Sequence, residues 1–279
     1  MKVGSLFSGI GGFDLGLERA GFEIIWQVEI DPFCNKVLAK HWPNVKRFLD
    51  VKTVGSKELE PVDLICGGFP CQDISVAGFQ EGIDACRSGL WSEFARIIGD
   101  LRPKYAIVEN VANLLSGGGG KWFCRILADL AALRYDVQWH CLPASYVGAF
   151  HRRDRVWIIA YPIGTNVEGL DVQKSLCAYS QESFGWELAR AINETLPADD
   201  YARIRGDYDG VSEIMERLKC IGNAVFPAIP EIIGRAIMEI ENANGNPEHI
   251  HRALNGVRLF IPCCRPQDTN KSERNNIRK

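Results

Sequence analysis

The chain has 279 residues, of which 46% are apolar and 24% are charged, so its length and composition are those of one sizeable globular core with at most a small appended lobe. No stretch approaches the roughly 18 consecutive apolar residues of a membrane span, and the N-terminus MKVGSLFSG lacks the features of a secretory signal. The net charge of −3 argues against a molecule that is basic overall, so any binding of nucleic acid must depend on local patches.

The ten cysteines are scattered along the chain, and only Cys263 and Cys264 are adjacent. They form no CxxC pair and no Cys/His spacing suited to zinc. We therefore expect reduced thiols, a cytoplasmic location and no metal site.

Short apolar runs alternate with helical patterns up to Tyr161. They predict strands over 2–7, 22–29 and 105–110, and a strand followed by a loop over 62–68. They also predict helices over 12–21, 31–40, 90–101 and 121–134, and a closing strand pair in YDVQWHCL and RVWIIAY. This alternation is typical of an α/β fold with a doubly wound, mostly parallel sheet and helices on both faces. Ligands of such sheets bind beyond the carboxyl ends of the strands.

The pattern weakens after Tyr161. Residues 162–200 carry seven acidic residues against two basic ones and have no clear period, whereas 227–241 has a regular helical face. We therefore divide the chain into a main domain at 1–161, a short separate region at 162–212, a return to the main domain at 213–261 and a polar, basic tail at 262–279.

A glycine-rich loop, SLFSGIGGF, connects the first strand to the first helix. Gly9, Gly11 and Gly12 would let a ligand approach the backbone at the helix N-terminus. Glu29 ends the next strand, from which a carboxylate commonly holds ribose hydroxyls. A tight turn without a ligand is the alternative.

The segment GGFPCQDIS contains a cysteine after two glycines and a proline. Pro70 fixes the backbone before Cys71, which would lie at the ligand edge of the sheet. There a thiolate could act as a nucleophile, although an inert buried cysteine is equally compatible with the local sequence.

Glu109 lies at the end of the apolar strand YAIVEN. A half-buried carboxylate in this position would have a raised pKa and could donate or accept a proton. A carboxylate that caps a helix or lies in a loop is the alternative.

Three arginines crowd the start of the strand in HRRDRVWIIA. Strand alternation places Arg153 and Arg155 on one face and Arg152 on the other. The pair could hold a phosphate or another anion, and a solvated strand end compensated by Asp154 is the alternative.

Together with RLKCIGNAVFP at 217–227, these segments resemble the DNA (cytosine-5)-methyltransferase family. The resemblance covers about 3–161 and 217–235 and is strongest to compact enzymes of phages and prophages. It implies the S-adenosylmethionine-dependent methyltransferase fold and transfer of a methyl group to carbon 5 of a cytosine flipped out of double-stranded DNA, with S-adenosylhomocysteine as the second product.

The resemblance also implies which residues bind the cofactor. Glu29 matches the ribose-binding carboxylate, and Asp50 matches an acidic residue that contacts adenine. The full set of implied cofactor residues is Phe7, Ser8, Gly9, Ile10, Gly11, Gly12, Glu29, Asp50, Val51, Pro70, Leu90, Asn223 and Val225.

In the mechanism that the resemblance implies, the Cys71 thiolate adds to carbon 6 of the cytosine. Glu109 hydrogen-bonds ring nitrogen 3 and the exocyclic amine. Arg155 helps to bind the activated ring, and Arg153 holds Cys71 and the phosphate region. The candidate DNA contacts are Gln72, Arg203 and Arg205.

The chain departs from the family pattern in two places. His151 stands where the family usually has glutamine, and the target-recognition region at 162–212 is short and acidic. Alternative functions are a tRNA cytosine methyltransferase, whose CFT tripeptide is missing here, an inactive DNA-binding relative and a small-molecule methyltransferase of the same fold. Double-stranded DNA is the expected partner of a monomeric protein, with a cognate restriction endonuclease as a further candidate and no membrane.

Overall fold

The computed structural model describes residues 1–70, 89–149, 152–165 and 223–244, together with positions 167, 170, 172, 175 and 176. Seven strands form one sheet: β1 (Lys2–Leu6), β2 (Glu23–Val28), β3 (Lys46–Phe48), β4 (Leu64–Gly67), β5 (Tyr105–Val111), β6 (Tyr135–Pro143) and β7 (Asp154–Pro162). Their order across the sheet is β3-β2-β1-β4-β5-β7-β6. Strands β1 to β5 pair in parallel, and β7 is antiparallel to both β5 and β6. The predicted doubly wound, mostly parallel α/β fold is therefore confirmed.

Five α-helices pack around this sheet in the described part of the chain: α1 (Gly12–Arg19), α2 (Pro32–His41), α3 (Leu90–Leu101), α4 (Lys121–Ala132) and α5 (Ala228–Asn244). Apolar residues of α1 and α5 join one core cluster, and those of α3 and α4 join a second. Alternate residues of β5 divide between the two clusters, as Ile107 and Val108 illustrate. The clusters therefore lie on opposite faces of the sheet, as expected for strands buried on both sides.

Local sequence explains where several helices begin and end. Asp31 caps α2 by accepting hydrogen bonds from the backbone N–H groups of Phe33 and Cys34 at 2.8 and 3.1 Å, and Pro32 occupies the first turn. Helix α3 buries one apolar stripe and ends at Leu101, where the C-cap residue Arg102 has a left-handed φ of 50°. Both starts and the exact span of α3 agree with the sequence prediction.

Other boundaries differ from the prediction. Strand β3 was not predicted, because three residues of mixed polarity carry no periodic signal. Helix α4 ends at Ala132, and α5 continues to Asn244. The glycine run 117–120 forms a short 3₁₀ turn in which Gly118, Gly119 and Gly120 have positive φ.

Most of the predicted recognition region at 162–212 and all of the tail at 262–279 lie outside the described residues. None of the helices in the described ranges is long and apolar enough to cross a membrane.

Candidate active site

The carboxyl ends of four parallel strands open into one cavity of about 530 Å³. Phe7, Glu29 and Gly68 follow β1, β2 and β4, and Glu109 lies near the end of β5; all four line the cavity. The cavity therefore occupies the sheet edge at which the sequence predicted a ligand.

The glycine-rich loop folds tightly over the ends of β1 and β2. Phe7, Gly9 and Gly11 have φ values of 52°, 55° and 87°, in the left-handed region. The loop is closed by hydrogen bonds from the Ser8 N–H to the Val28 carbonyl at 3.2 Å and from the Gly11 N–H to the Ser8 carbonyl at 2.9 Å. This conformation explains the spacing of the glycines and leaves backbone exposed to the cavity.

Glu29 ties this loop to the start of the next one. Its Oε2 accepts from the Gly9 N–H at 2.7 Å, and its Oε1 accepts from the Asp31 N–H at 2.8 Å. Burial raises the pKa of the Glu29 carboxyl, while the hydrogen bonds from Asp31 and Gly9 act in the opposite direction. Each carboxyl oxygen keeps one lone pair for a further donor.

The structure brings most of the predicted cofactor residues to this cavity, but not all of them. The lining includes Phe7, Gly9, Glu29, Asp50, Val51, Pro70, Leu90 and Asn223. The hydroxyl of buried Ser8 instead donates to the Ser5 carbonyl at 3.1 Å. The remaining four line a neighbouring cavity of about 430 Å³: Ile10, Gly11, Gly12 and Val225.

A segment near residue 224, far from the glycine-rich loop in sequence, lies beside that loop at the cavity. Asn223 and Ala224 line the cavity, and the Val225 carbonyl packs on Gly12. A Cβ atom at Gly12 would lie 2.2 Å from that carbonyl oxygen, so only glycine allows this approach.

Glu109 is buried and paired with an arginine. Its Oε1 lies 2.9 Å from Nε of Arg155, whose Nη1 donates to the Asp154 carbonyl at 2.9 Å. Burial raises the pKa of the Glu109 carboxyl, although Arg155 and Arg153 partly offset that rise. The direction agrees with the sequence prediction, and the carboxyl is more deeply buried than expected.

Arg153 reaches the cavity for a different reason from the one the sequence suggested. It precedes β7 with a φ of 36°, so strand alternation does not govern its side chain. Arg153 and Arg155 nevertheless both line the cavity, where burial and then Arg155 lower the pKa of the Arg153 guanidinium. Arg152 is 83% exposed and pairs with Asp154 at 2.9 Å, as the solvated alternative predicted for a single arginine.

Several lining residues were missed by the sequence reasoning. Ile30 and Leu49 are 70% and 65% exposed, and both line the cavity. Their only signal in the sequence is that they adjoin Glu29 and Asp50. The other lining residues that were missed are Val28, Asp31, Cys34, Phe69, Val111 and Ala224.

A buried polar group behind the loop was also missed. Asp14 in α1 is fully buried, and its carboxyl accepts from Ser5 Oγ at 3.0 Å and from Gln27 Nε2 at 2.8 Å. Burial raises the pKa of Asp14 to about 6.

Five residues singled out from the sequence lie outside the described residues: Cys71, Gln72, His151, Arg203 and Arg205. Pro70 lines the cavity, and Cys71 is the next residue in the sequence. In the part of the chain that the structure describes, no group of three or more His, Cys, Asp or Glu side chains could hold a metal ion.

The sheet order and the position of the cavity define the fold of an S-adenosylmethionine-dependent methyltransferase. The family model of C-5 cytosine-specific DNA methylases matches residues 1–202, and the chain belongs to this family.

Relatives and solved structures agree with this assignment. Type II methyltransferase M2.BsuMI of Bacillus subtilis is 40% identical over 164 residues, which are 57% of this chain and 42% of that protein. Type II methyltransferase M.FnuDI of Fusobacterium nucleatum is 33% identical over 81% of this chain and 65% of that protein. A candidate DNA modification methyltransferase of an Escherichia coli prophage superposes with a TM-score of 0.52 at 27% identity, covering 63% of this chain and 54% of that one. The chain thus spans between 42% and 65% of the length of these relatives.

Proposed function

We propose that the chain transfers a methyl group from S-adenosylmethionine to carbon 5 of a cytosine in double-stranded DNA and releases S-adenosylhomocysteine. The observation that carries this proposal is that one cavity is shared by the glycine-rich loop with Glu29 and by Glu109 with its arginines. A methyl donor and an acceptor base could therefore meet inside it.

The cavity fits the cofactor in size and chemistry. Its volume of about 530 Å³ falls within the range of sites for ligands of this size. The free lone pairs of Glu29 would accept from the ribose hydroxyls, and the exposed faces of Ile30 and Leu49 would pack on the adenine ring. Asp50 accepts from the Lys52 N–H through Oδ1 at 2.9 Å, so its Oδ2 can accept from the adenine amine.

The cofactor, when bound, supplies an electrophilic methyl group. Carbon 5 of cytosine is a weak nucleophile, and addition of the Cys71 thiolate to carbon 6 would activate it. That addition places negative charge on the ring, which Glu109 and the arginines would stabilise. After methyl transfer to carbon 5, a base would remove the carbon 5 proton, and the electron pair left behind would expel the Cys71 thiolate and restore the aromatic ring.

The surroundings of Glu109 suit this role. Burial raises the pKa of its carboxyl, so this group would share a proton with ring nitrogen 3 more readily than an exposed glutamate, while the pair with Arg155 fixes its orientation. A Cβ at Gly68 would lie 2.8 Å from Oε2 of Glu109, so glycine leaves space beside that oxygen. Arg153, also in the cavity lining, would hold an anionic group such as the target phosphate.

The partners follow from the substrate. A cytosine in a stacked duplex is out of reach, so the target base would have to be flipped out at a cost of a few kcal/mol. The named relatives are Type II methyltransferases, and on that basis we propose a cognate restriction endonuclease. A monomeric state and a cytoplasmic location are parts of the same proposal, and Gln72, Arg203 and Arg205 are its proposed DNA contacts.

The test is to express the chain in a host without cytosine methylation and to map 5-methylcytosine by bisulfite sequencing. We expect methylation within one sequence context and none with Cys71→Ser, which should still bind S-adenosylhomocysteine. Genomic DNA without modified cytosine in any context would overturn the proposed activity. Near-normal methylation by Cys71→Ser would overturn the assignment of the nucleophile alone.

A further inference from the structure

Arg96 lies in the middle of α3 and does not line the cavity. It contacts instead the short 3₁₀ helix Val51–Thr53, which follows Asp50. Asp50 and Val51 are both part of the cavity wall. A residue remote from the site therefore touches the segment that shapes one of its sides.

The guanidinium of Arg96 hydrogen-bonds to the backbone of this segment. Nη2 donates to the carbonyl of Val51 at 3.0 Å and to the carbonyl of Val54 at 2.8 Å. These two carbonyls lie at the start of the 3₁₀ helix and just after its end. Because one charged donor bridges both, it fixes the turn as a unit.

Two carboxylates on the same helix hold the guanidinium in place. Nε of Arg96 pairs with Glu93 Oε2 at 2.8 Å, three residues earlier, and Nη1 pairs with Asp100 Oδ2 at 3.2 Å, four residues later. Residues at these spacings are neighbours on a helix surface. With Nε and Nη1 engaged in this way, Nη2 points at the carbonyls from a fixed position.

Hydrogen bonds within the turn also fix the position of Asp50. The carbonyl of Asp50 accepts from the Thr53 N–H at 3.0 Å and from Thr53 Oγ1 at 2.8 Å, and its side chain caps the Lys52 N–H. Gly55, which follows Val54, also allows α3 to approach this turn, because a Cβ at Gly55 would lie only 3.3 Å from Nη1 of Arg96.

We propose that Arg96 is a positioning residue for the cofactor: it holds the turn at 50–54 so that Asp50 and Val51 present the correct surface to the adenine end of S-adenosylmethionine. This inference rests on the proposed function. Helix α3 also contributes Leu90 to the same cavity, so Arg96 joins two of its walls.

The turn has a second anchor that does not need Arg96. The side chains of Val51 and Val54 are 4% exposed and belong to the same core cluster as Phe94 and Ile97 of α3. Loss of the guanidinium should therefore leave the turn attached to the core but poorly oriented. Cofactor affinity should fall without global unfolding.

The experiment measures the affinity of the full chain for S-adenosylhomocysteine by isothermal titration calorimetry, in the wild type, Arg96→Met, Arg96→Lys and Arg125→Met. We expect about tenfold weaker binding for Arg96→Met and a smaller loss for Arg96→Lys, which keeps one charged donor. The control Arg125→Met also removes a helix-surface ion pair, that of Arg125 with Asp129, and should bind as the wild type does.

Kinetics and thermal melting distinguish positioning from stability. In Arg96→Met we expect a raised KM for S-adenosylmethionine, with kcat at saturating cofactor and KM for DNA unchanged. Wild-type affinity for S-adenosylhomocysteine combined with a lowered Tm would show a purely structural residue and overturn the inference, as would a fall in kcat alone. Failure of the wild type itself to bind S-adenosylhomocysteine would instead overturn the proposed cofactor.

Discussion

The carboxyl of Glu109 lies between opposing influences. Burial favours its protonated form, and the Arg155 guanidinium 2.9 Å away favours its ionised form. In Glu109→Gln the amide can still hydrogen-bond the base, but it has no proton to share, so we expect kcat to fall about 100-fold. Transfer of a tritiated methyl group to DNA measures this loss, and affinity for S-adenosylhomocysteine should not change.

The control for this variant is Glu239→Gln, which removes an exposed carboxylate of α5 that is not part of the cavity lining. It should methylate DNA at the wild-type rate. A wild-type kcat in Glu109→Gln would exclude proton sharing by this carboxyl.

Asp14 makes stability depend on pH. Burial raises its pKa in the folded state to about 6, from the ordinary value of 3.8. Its contribution to stability is therefore complete below about pH 4 and is lost as the pH rises through about 6, at a cost of about 3 kcal/mol. Asp14→Asn abolishes this dependence, so the variant should gain stability relative to the wild type between pH 4 and pH 7.

Urea denaturation of both proteins at several pH values measures this difference. Other titrating groups are common to the two proteins and cancel in the comparison. A difference in free energy of unfolding that stays constant with pH would show that Asp14 is already ionised in the folded state.

At the scale of residues, a site residue could be predicted from the sequence where its position in a strand or helix was itself predictable. Glu29 and Glu109 were predicted because each ends an apolar strand. Asp14 was missed because its burial depends on Ser5 and Gln27 in two different strands, which no local pattern brings together. Arg153 was assigned to the cavity on the wrong ground, since its backbone conformation lies outside the strand.

At the scale of elements, the contact between α1 and α5 depends on a glycine. A Cβ at Gly16 would lie 2.2 Å from the Pro227 carbonyl oxygen and 2.8 Å from Pro230 Cγ. The obstacles are backbone and a rigid ring, so Gly16→Ala should destabilise the fold by about 2–3 kcal/mol. It should also weaken binding of S-adenosylhomocysteine, because displacement of α5 carries Asn223 and Ala224 away from the cavity.

Gly99→Ala is the matched control, since Gly99 also lies inside a helix. Its nearest obstacle is the flexible tip of Leu133 at 3.1 Å, which can move aside. We expect this variant to be neutral or slightly stabilised, because alanine favours helix more than glycine does. Equal losses in the two variants by chemical denaturation would rule out a specific role for Gly16.

The same contrast explains which elements the sequence predicts. Helix α3 has an apolar stripe at helical spacing, and its limits followed from that stripe. Strand β3 exists because β2 offers it a parallel partner, from Trp26 paired with Lys46 to Val28 paired with Phe48. The three residues of β3 contain no periodic pattern that would predict this pairing. The local sequence of 223–227 likewise does not predict that this segment packs against Gly12.

At the scale of the whole molecule, alternation predicted a parallel sheet but not its strand order. The order matters for the site, because β7 inserts between β5 and β6 and runs antiparallel to both. This register places Arg155 opposite Val111, two residues beyond Glu109. The ion pair between Glu109 and Arg155 therefore depends on sheet topology. For this reason both residues could be predicted from the sequence, whereas their contact could not.

Because the cavity is built from loops at several strand ends, a ligand there should stabilise the whole fold. At a fixed concentration of one hundred times the Kd of the wild type, S-adenosylhomocysteine should add about 3 kcal/mol to the free energy of unfolding of the wild type and raise its Tm by roughly 5–10 °C. Glu29→Gln should show a smaller rise, because an amide places a donor where the Gly9 and Asp31 N–H groups each need an acceptor. Differential scanning calorimetry of both proteins, with and without ligand, measures these shifts. An equal rise in the two proteins would mean that Glu29 does not contribute to the site, and no rise in the wild type would mean that the cavity does not bind this ligand.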